Sequence, residues 1–152
     1  GQERGRRSGT LYTPQIVGFA KALEIGVESM KSESERFMQL KKQLWSMFEP
    51  LDGIYLNGDF THSLPNNLNL SVEGVNGSAL LLALQPLVAV SSGSACSSES
   101  TAPSHVLTAL GRDKKLAQAS LRFGIGRFNT AEEITTVGET AIATIKSLRQ
   151  AS

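Results

Sequence analysis

The chain reads as an α+β domain in which helices alternate with about four short strands. Three observations carry that reading. Residues 13–49 repeat apolar side chains at steps of three and four, residues 66–73 alternate apolar and polar with a period of two, and residues 130–148 return to helical spacing. With 152 residues, 40% hydrophobic and 19% charged, the chain suits one ordinary domain with a core of its own.

Residues 1–12 are polar, glycine-rich and arginine-rich (Arg4, Arg6, Arg7), which predicts a loop. Thr13 is placed to cap a helix whose first position suits Pro14. Ile16, Phe19, Leu23, Val27, Met30, Phe37, Leu40, Leu44 and Met47 then mark a single apolar stripe, with Lys21, Glu24, Lys41 and Lys42 among the polar residues between them. Pro50 and Gly53 end this helix, which at about 1.5 Å per residue runs roughly 50 Å and is expected to lie across and beyond a small sheet. Ile54–Leu56 predicts a strand and Asn57–Asp59 a turn. In residues 66–73, Leu68, Leu70 and Val72 face inward, while Asn67, Asn69 and Ser71 face water.

Residues 77–84 suit a buried helix starting near Ser78 and closed by Pro86, and residues 87–90 a short buried strand. Residues 103–110 predict a helix that Gly111 terminates, and residues 114–119 another. Residues 120–125 alternate as a strand, projecting Arg122 from the face opposite Leu121 and Phe123. Asn129 or Thr130 caps a last amphipathic helix through Ile134, Val137, Ala141, Ile145 and Leu148.

A formal charge of +1 lacks the basic excess that grips nucleic acid nonspecifically. The most apolar run, residues 79–90, is broken by Gln85 and Pro86 and is too short to span a bilayer. The basic opening has no apolar stretch after it and is not a secretory signal. One cysteine excludes an internal disulfide and a multi-cysteine zinc site. A cytoplasmic globular chain is expected, and its start at Gly1 suggests a piece of something longer.

Residues 91–104, SSGSACSSESTAPS, contain no large apolar side chain and are expected to form a mobile loop, a type that is usually functional or disordered. Cys96 lies in it. Free cysteines are commonly small buried hydrophobes, but Cys96 has no apolar neighbour with which to share a core, so a reactive thiol is expected. No His, Lys or Arg flanks it closely, and activation has to come from elsewhere in the fold or from a cofactor. Arg122 either covers a sheet surface or grips a carboxylate bidentately. The opening loop, Arg4 to Thr10, is a basic surface loop or an anion cradle. His62 and His105 lack metal spacing and read as surface residues.

Four stretches carry a resemblance. QERGRRSGTL resembles an ERG-x-RSGTL pattern, and YLNGDFTHSLPNNLNLS resembles NGD-x-x-H-x-x-PN-x-LN-x-S. SSGSACSS resembles SSGSAC-[ST]-S, and SLRFGIGRF resembles S-[IL]-RF-x-[IL]-GRF. In this order, over essentially the whole chain, they resemble the C-terminal part of a pyridoxal-phosphate cysteine desulfurase of the IscS/NifS type.

The resemblance implies the small C-terminal domain of a fold-type-I enzyme, with residues 1–12 a remnant of the large pyridoxal-phosphate domain and residues 13–152 the small domain carrying the cysteine loop. It implies that Cys96 takes sulfur from L-cysteine as a persulfide, releasing L-alanine, and passes it to iron–sulfur scaffold or other sulfur-acceptor proteins. Cys96 is also the candidate for transient iron–sulfur ligation through that persulfide. Arg122 corresponds to the residue binding the substrate carboxylate, and Thr10 to the one reaching the cofactor phosphate of the partner subunit in a homodimer. No membrane partner is implied, and nucleic acid only indirectly, through tRNA thiolation. The family's cofactor lysine precedes the ERG motif, so the attachment lysine is not in this chain and the isolated chain is expected to be inactive. His105 stands where tyrosine is common in the family, and the tail that helps dock the scaffold in housekeeping members is expected to be short or absent after Ser152. The competing readings are a persulfide carrier or partner-binding domain without the cofactor, and the small domain of another fold-type-I enzyme such as an aminotransferase.

Overall fold

The computed structural model describes residues 2–92 and 103–151. Its element order is α1 (Thr13–Phe48), β1 (Ile54–Leu56), β2 (Asn67–Val72), α2 (Gly77–Leu84), α3 (His105–Ala109), α4 (Lys114–Gln118), β3 (Ser120–Gly124) and α5 (Ala131–Gln150). The chain divides into two compact units, Gly1–Glu33 and Ser34–Ser152. The architecture is a small α+β fold. Among the described residues, no helix is long and apolar enough to cross a membrane.

In the first unit, a left-handed turn opens the chain. Glu3, Arg4 and Gly5 have φ of +56°, +56° and +78°, and the Arg6 N–H donates to the Glu3 carbonyl at 3.1 Å. The helical residues that follow leave Phe19 74% and Val27 62% exposed, so the upper part of the expected apolar stripe is bare.

The second unit is built on a three-stranded antiparallel sheet in the order β1-β2-β3. Its register sets Leu68 against Phe123, Asn69 against Arg122, Leu70 against Leu121 and Ser71 against Ser120. Because side chains alternate between faces and residues directly opposite share one, this register makes one face apolar and the other a row of asparagine, serine and arginine. The apolar face joins Leu40, Leu44 and Phe48 of α1, Leu80 and Leu84 of α2, and Ile134, Ala141 and Ile145 of α5 in one core. Phe48 is fully buried and meets Phe123 with ring centroids 5.7 Å apart. Arg36 ties α1 to the turn before α5, donating to the carbonyls of Gly126 and Asn129 at 3.2 and 2.8 Å.

The caps explain the boundaries. Asn76 caps α2, which starts beside Ser78 as expected, by accepting from the Ala79 N–H at 3.0 Å. Gly111, at φ +83°, follows α3 in the left-handed conformation that stops a helix, and Asp113 then caps α4. Thr130 and Glu133 form a reciprocal capping box at the start of α5.

Three expectations need correction. Residues 87–90 are not a strand, and Leu87 is exposed: the Leu84 carbonyl accepts from the N–H groups of both Leu87 and Val88, which winds the chain on past α2. The sheet among the described residues therefore has three strands, joined at its β3 edge by a single bridge from Ser91. Lys41, grouped with the polar residues outside the apolar stripe, is only 1% exposed, because the Ser63 hydroxyl and the Phe60 and Leu64 carbonyls satisfy its amine inside the fold. Ser71 is buried too, since α4 packs over that end of the polar face. The segment around Cys96 lies outside the described residues.

The core makes a stability prediction. Phe48→Ala should destabilise the fold by about 3–5 kcal/mol in urea unfolding. Gly77→Ala should also be costly, because an added Cβ would lie 2.0 Å from the Gln118 carbonyl oxygen. Gly26→Ala, where a Cβ meets nothing, should stabilise by about 0.5–1 kcal/mol. A Gly77→Ala protein as stable as the parent would contradict this packing.

Candidate functional site

The polar face of the sheet carries the candidate site. A hydrogen-bond chain runs across it with a consistent donor order. Asn57 Nδ2 donates to Asn69 Oδ1 at 2.7 Å and to Ser71 Oγ at 2.8 Å. The Ser71 and Ser120 hydroxyls are 2.7 Å apart, and Ser120 donates to the Leu116 carbonyl at 2.8 Å. Arg112 closes the chain from the α3–α4 link, donating through Nε to Asn57 Oδ1 at 2.7 Å and through Nη2 to the Leu56 carbonyl at 2.6 Å. These buried hydroxyls are both hydrogen-bonded, as buried polar groups must be to offset their desolvation.

Arg122 stands at the exposed end of this row. It lies on β3 between buried Leu121 and Phe123 and projects from the opposite face, as its sequence position requires. On one flank is Asn69, whose oxygen is already engaged by Asn57. On the other is Ser91, which exchanges two backbone hydrogen bonds with Arg122. The Arg122 N–H donates to the Ser91 carbonyl at 2.7 Å, and the Ser91 N–H donates back at 3.3 Å. The site is thus an exposed guanidinium flanked by a hydroxyl and an amide, an arrangement suited to a planar anion such as a carboxylate. An open cleft of about 640 Å³, lined by Leu44, Phe123, Ile125, Ile134 and Val137 among others, occupies the apolar side and does not include Arg122.

The remaining candidates are placed separately. Thr10 lies exposed in the first unit, after Gly9 at φ +101°, with Arg7 Nη1 donating to the Gly9 carbonyl at 2.8 Å. Cys96 is outside the described residues. His105 is the exposed first residue of α3. His62 is a surface residue whose Nδ1 lies 3.0 Å from Asp59 Oδ1.

Asp59 organises its own turn. The His62 N–H, the Thr61 hydroxyl and the Thr61 N–H each donate to Oδ1 at 2.7 Å, holding the carboxyl well below its ordinary 3.8. Beneath the same segment, Lys41 Nζ donates to Ser63 Oγ at 2.7 Å and to the Phe60 and Leu64 carbonyls at 3.1 and 3.3 Å. Burial pushes this amine below its usual value, opposed by the nearby Asp59 charge.

Reading the sequence alone missed Asn57, Asn69, Ser71, Ser91 and Arg112. The signal available was the alternation Asn67, Asn69, Ser71, because short polar residues repeated on one strand face suit a hydrogen-bonded face as well as a solvated one.

Residues 1–137 match the aminotransferase class-V family. The chain belongs to that family. Within it, the chain is 52% identical over 134 residues to the cysteine desulfurase IscS of Aeromonas hydrophila, covering 88% of this chain and 33% of that protein. It is 49% identical over 152 residues to the cysteine desulfurase IscS of Escherichia coli, covering 100% of this chain and 37% of that protein. A solved NifS-like protein superposes with a TM-score of 0.82 at 33% identity, over 97% of this chain and 38% of that one. The chain thus spans about a third of the length of the curated relatives it matches. Aminotransferase class-V proteins are pyridoxal-phosphate enzymes, and the resemblance drawn from the four motifs agrees with these relatives.

The Asp59 turn gives a pH prediction. Since its folded-state value is depressed, ionised Asp59 supports the fold fully above about pH 4, and this support is lost as pH falls through the carboxylate range. Asp59→Asn should therefore flatten the fall of the urea midpoint on acidification. Some slope should remain, because Asn129 and the Thr130 N–H also hold Glu133 below its ordinary value. An unchanged slope in Asp59→Asn would contradict this role.

Proposed function

We propose that this chain is the sulfur-accepting part of a pyridoxal-phosphate cysteine desulfurase, in which Cys96 receives the sulfur of L-cysteine. Residues 1–12 then belong with the large domain and residues 13–152 form the small one. The observation that carries the reading is the paired backbone contact between Ser91 and Arg122, which anchors the start of the cysteine-bearing segment beside the one exposed arginine of the polar sheet face. In sequence, Cys96 follows that anchor by five residues.

The chemistry divides among the residues. Arg122 binds and orients the substrate carboxylate through two parallel N–H donors. The Cys96 thiolate attacks the substrate sulfur: a sulfur–sulfur bond forms as the substrate's carbon–sulfur bond breaks, and the carbon keeps the electron pair and is protonated to give alanine. Pyridoxal phosphate, when bound, supplies the electron sink for that cleavage. The donors on this chain fit the group only in part. Thr10, exposed behind a left-handed glycine, offers a hydroxyl for the phosphate, in this reading that of the partner subunit's cofactor. None of the seven lysines is suited to attachment, because Lys41 is engaged by Ser63 and two carbonyls and the other six are exposed. The lysine is therefore assigned to the large domain, and the isolated chain to an inactive state.

A thiol set among small polar residues is suited to receive sulfur in the site and hand it to an acceptor protein, such as an iron–sulfur scaffold. A reduced free thiol as nucleophile fits the cytoplasm. The bare apolar helix surface of residues 11–30 fits coverage by the large domain or the second subunit.

In the full-length protein, Cys96→Ala should abolish desulfurase turnover while leaving cofactor absorbance intact. Arg122→Ala should weaken L-cysteine binding by about 2–5 kcal/mol, as expected when one partner of a desolvated charge pair is removed. Turnover retained by Cys96→Ala would defeat the assignment, and unchanged substrate affinity in Arg122→Ala would remove Arg122 from the site.

A further inference from the structure

We propose that Ser91 is a positioning residue for Arg122, holding its guanidinium in the orientation that receives an amino-acid carboxylate. This rests on the reading of Arg122 as the carboxylate clamp and adds the group that fixes the clamp.

β3 is the edge strand of the sheet, and at its outer edge Ser91 meets Arg122 through an isolated bridge. Both backbone hydrogen bonds of that bridge, 2.7 and 3.3 Å, run between the same two residues. In antiparallel geometry this is the hydrogen-bonded pair, whose side chains emerge on one face about 5.5 Å apart at their Cα atoms. The consequence is visible: Arg122 Nη2 lies 3.5 Å from Ser91 Oγ. On the inner side the facing residue is Asn69, fixed by Asn57. The guanidinium therefore lies between a strand neighbour hydrogen-bonded by Asn57 and a hydroxyl on the partner across the bridge.

An exposed arginine explores many rotamers, and restraining it before the ligand arrives lowers the entropy lost on binding. A hydroxyl can accept from one guanidinium N–H and leave the others for a bidentate carboxylate. An alanine at position 91 keeps the backbone pair but loses that acceptor, whereas a threonine keeps both. The effect belongs to ligand binding, because the hydroxyl meets the clamp's guanidinium.

The test uses the full-length protein with pyridoxal phosphate bound, and compares Ser91→Ala, Ser91→Thr, Arg122→Ala and the double variant. L-cysteine turnover gives KM and kcat, L-alanine titration gives carboxylate binding without turnover, and thermal melting reports the fold. Ser91→Ala should raise KM and the L-alanine Kd about three- to tenfold. Its kcat should stay within about twofold and its melting temperature should be unchanged. Ser91→Thr should restore parental binding, and Ser91→Ala should add nothing once Arg122 is alanine. If Arg122→Ala weakens L-alanine binding but Ser91→Ala does not, the positioning role is overturned and the clamp survives. If Ser91→Ala weakens binding equally with and without Arg122, the hydroxyl acts by another route and the proposal fails. If Arg122→Ala itself leaves L-alanine binding unchanged, the clamp reading fails and the proposal with it.

Discussion

The pairing register of β2 with β3 is the constraint on which the rest depends. Setting Asn69 opposite Arg122 and Leu70 opposite Leu121 sorts every side chain of the two strands onto an apolar or a polar face. A slip of one residue would turn Leu68, Leu70 and Val72 away from α1 and α5 and drive the asparagines into the core. The same register that builds the core thus presents Arg122, so the candidate site and the stability of the second unit have one origin.

The polar face is not simply the wet side of a half-buried sheet. At one end Ser71 and Ser120 are buried beneath α4 and hydrogen-bonded through Asn57 and Arg112; at the other Arg122 is exposed. Arg112 reaches the network from the link between α3 and α4, the helices that follow the cysteine-bearing segment in sequence. The stretches flanking that segment are therefore fastened to the sheet at both ends, Ser91 to β3 before it and Arg112 to β1 and Asn57 after it.

Much of the fold was legible in the sequence because its signals are local. The spacing of Ile134, Val137, Ala141 and Ile145, the alternation at Leu68, Leu70 and Val72, and the stop at Gly111 each act within a few residues. The failures were those of long-range packing. Lys41 looked solvent-facing by its charge, yet Ser63 and the Phe60 and Leu64 carbonyls, some twenty residues on, give its amine a place to end. Residues 87–90 are apolar enough for a strand, but the Leu84 carbonyl captures their first N–H groups and the chain reaches the sheet only at Ser91. For the site, Arg122 was legible from its strand parity. Its neighbours Ser91 and Asn69 were not, since a polar residue in a strand gives no sign of what stands opposite.

The central claim is that Cys96 receives a sulfur atom from an amino acid. It is tested most directly by treating the full-length, cofactor-loaded protein with L-cysteine under non-reducing conditions and mapping peptide masses. The account predicts one additional sulfur on the peptide containing Cys96, removable by a thiol reductant. Alanine production with that peptide unmodified, and the sulfur on another residue, would contradict it.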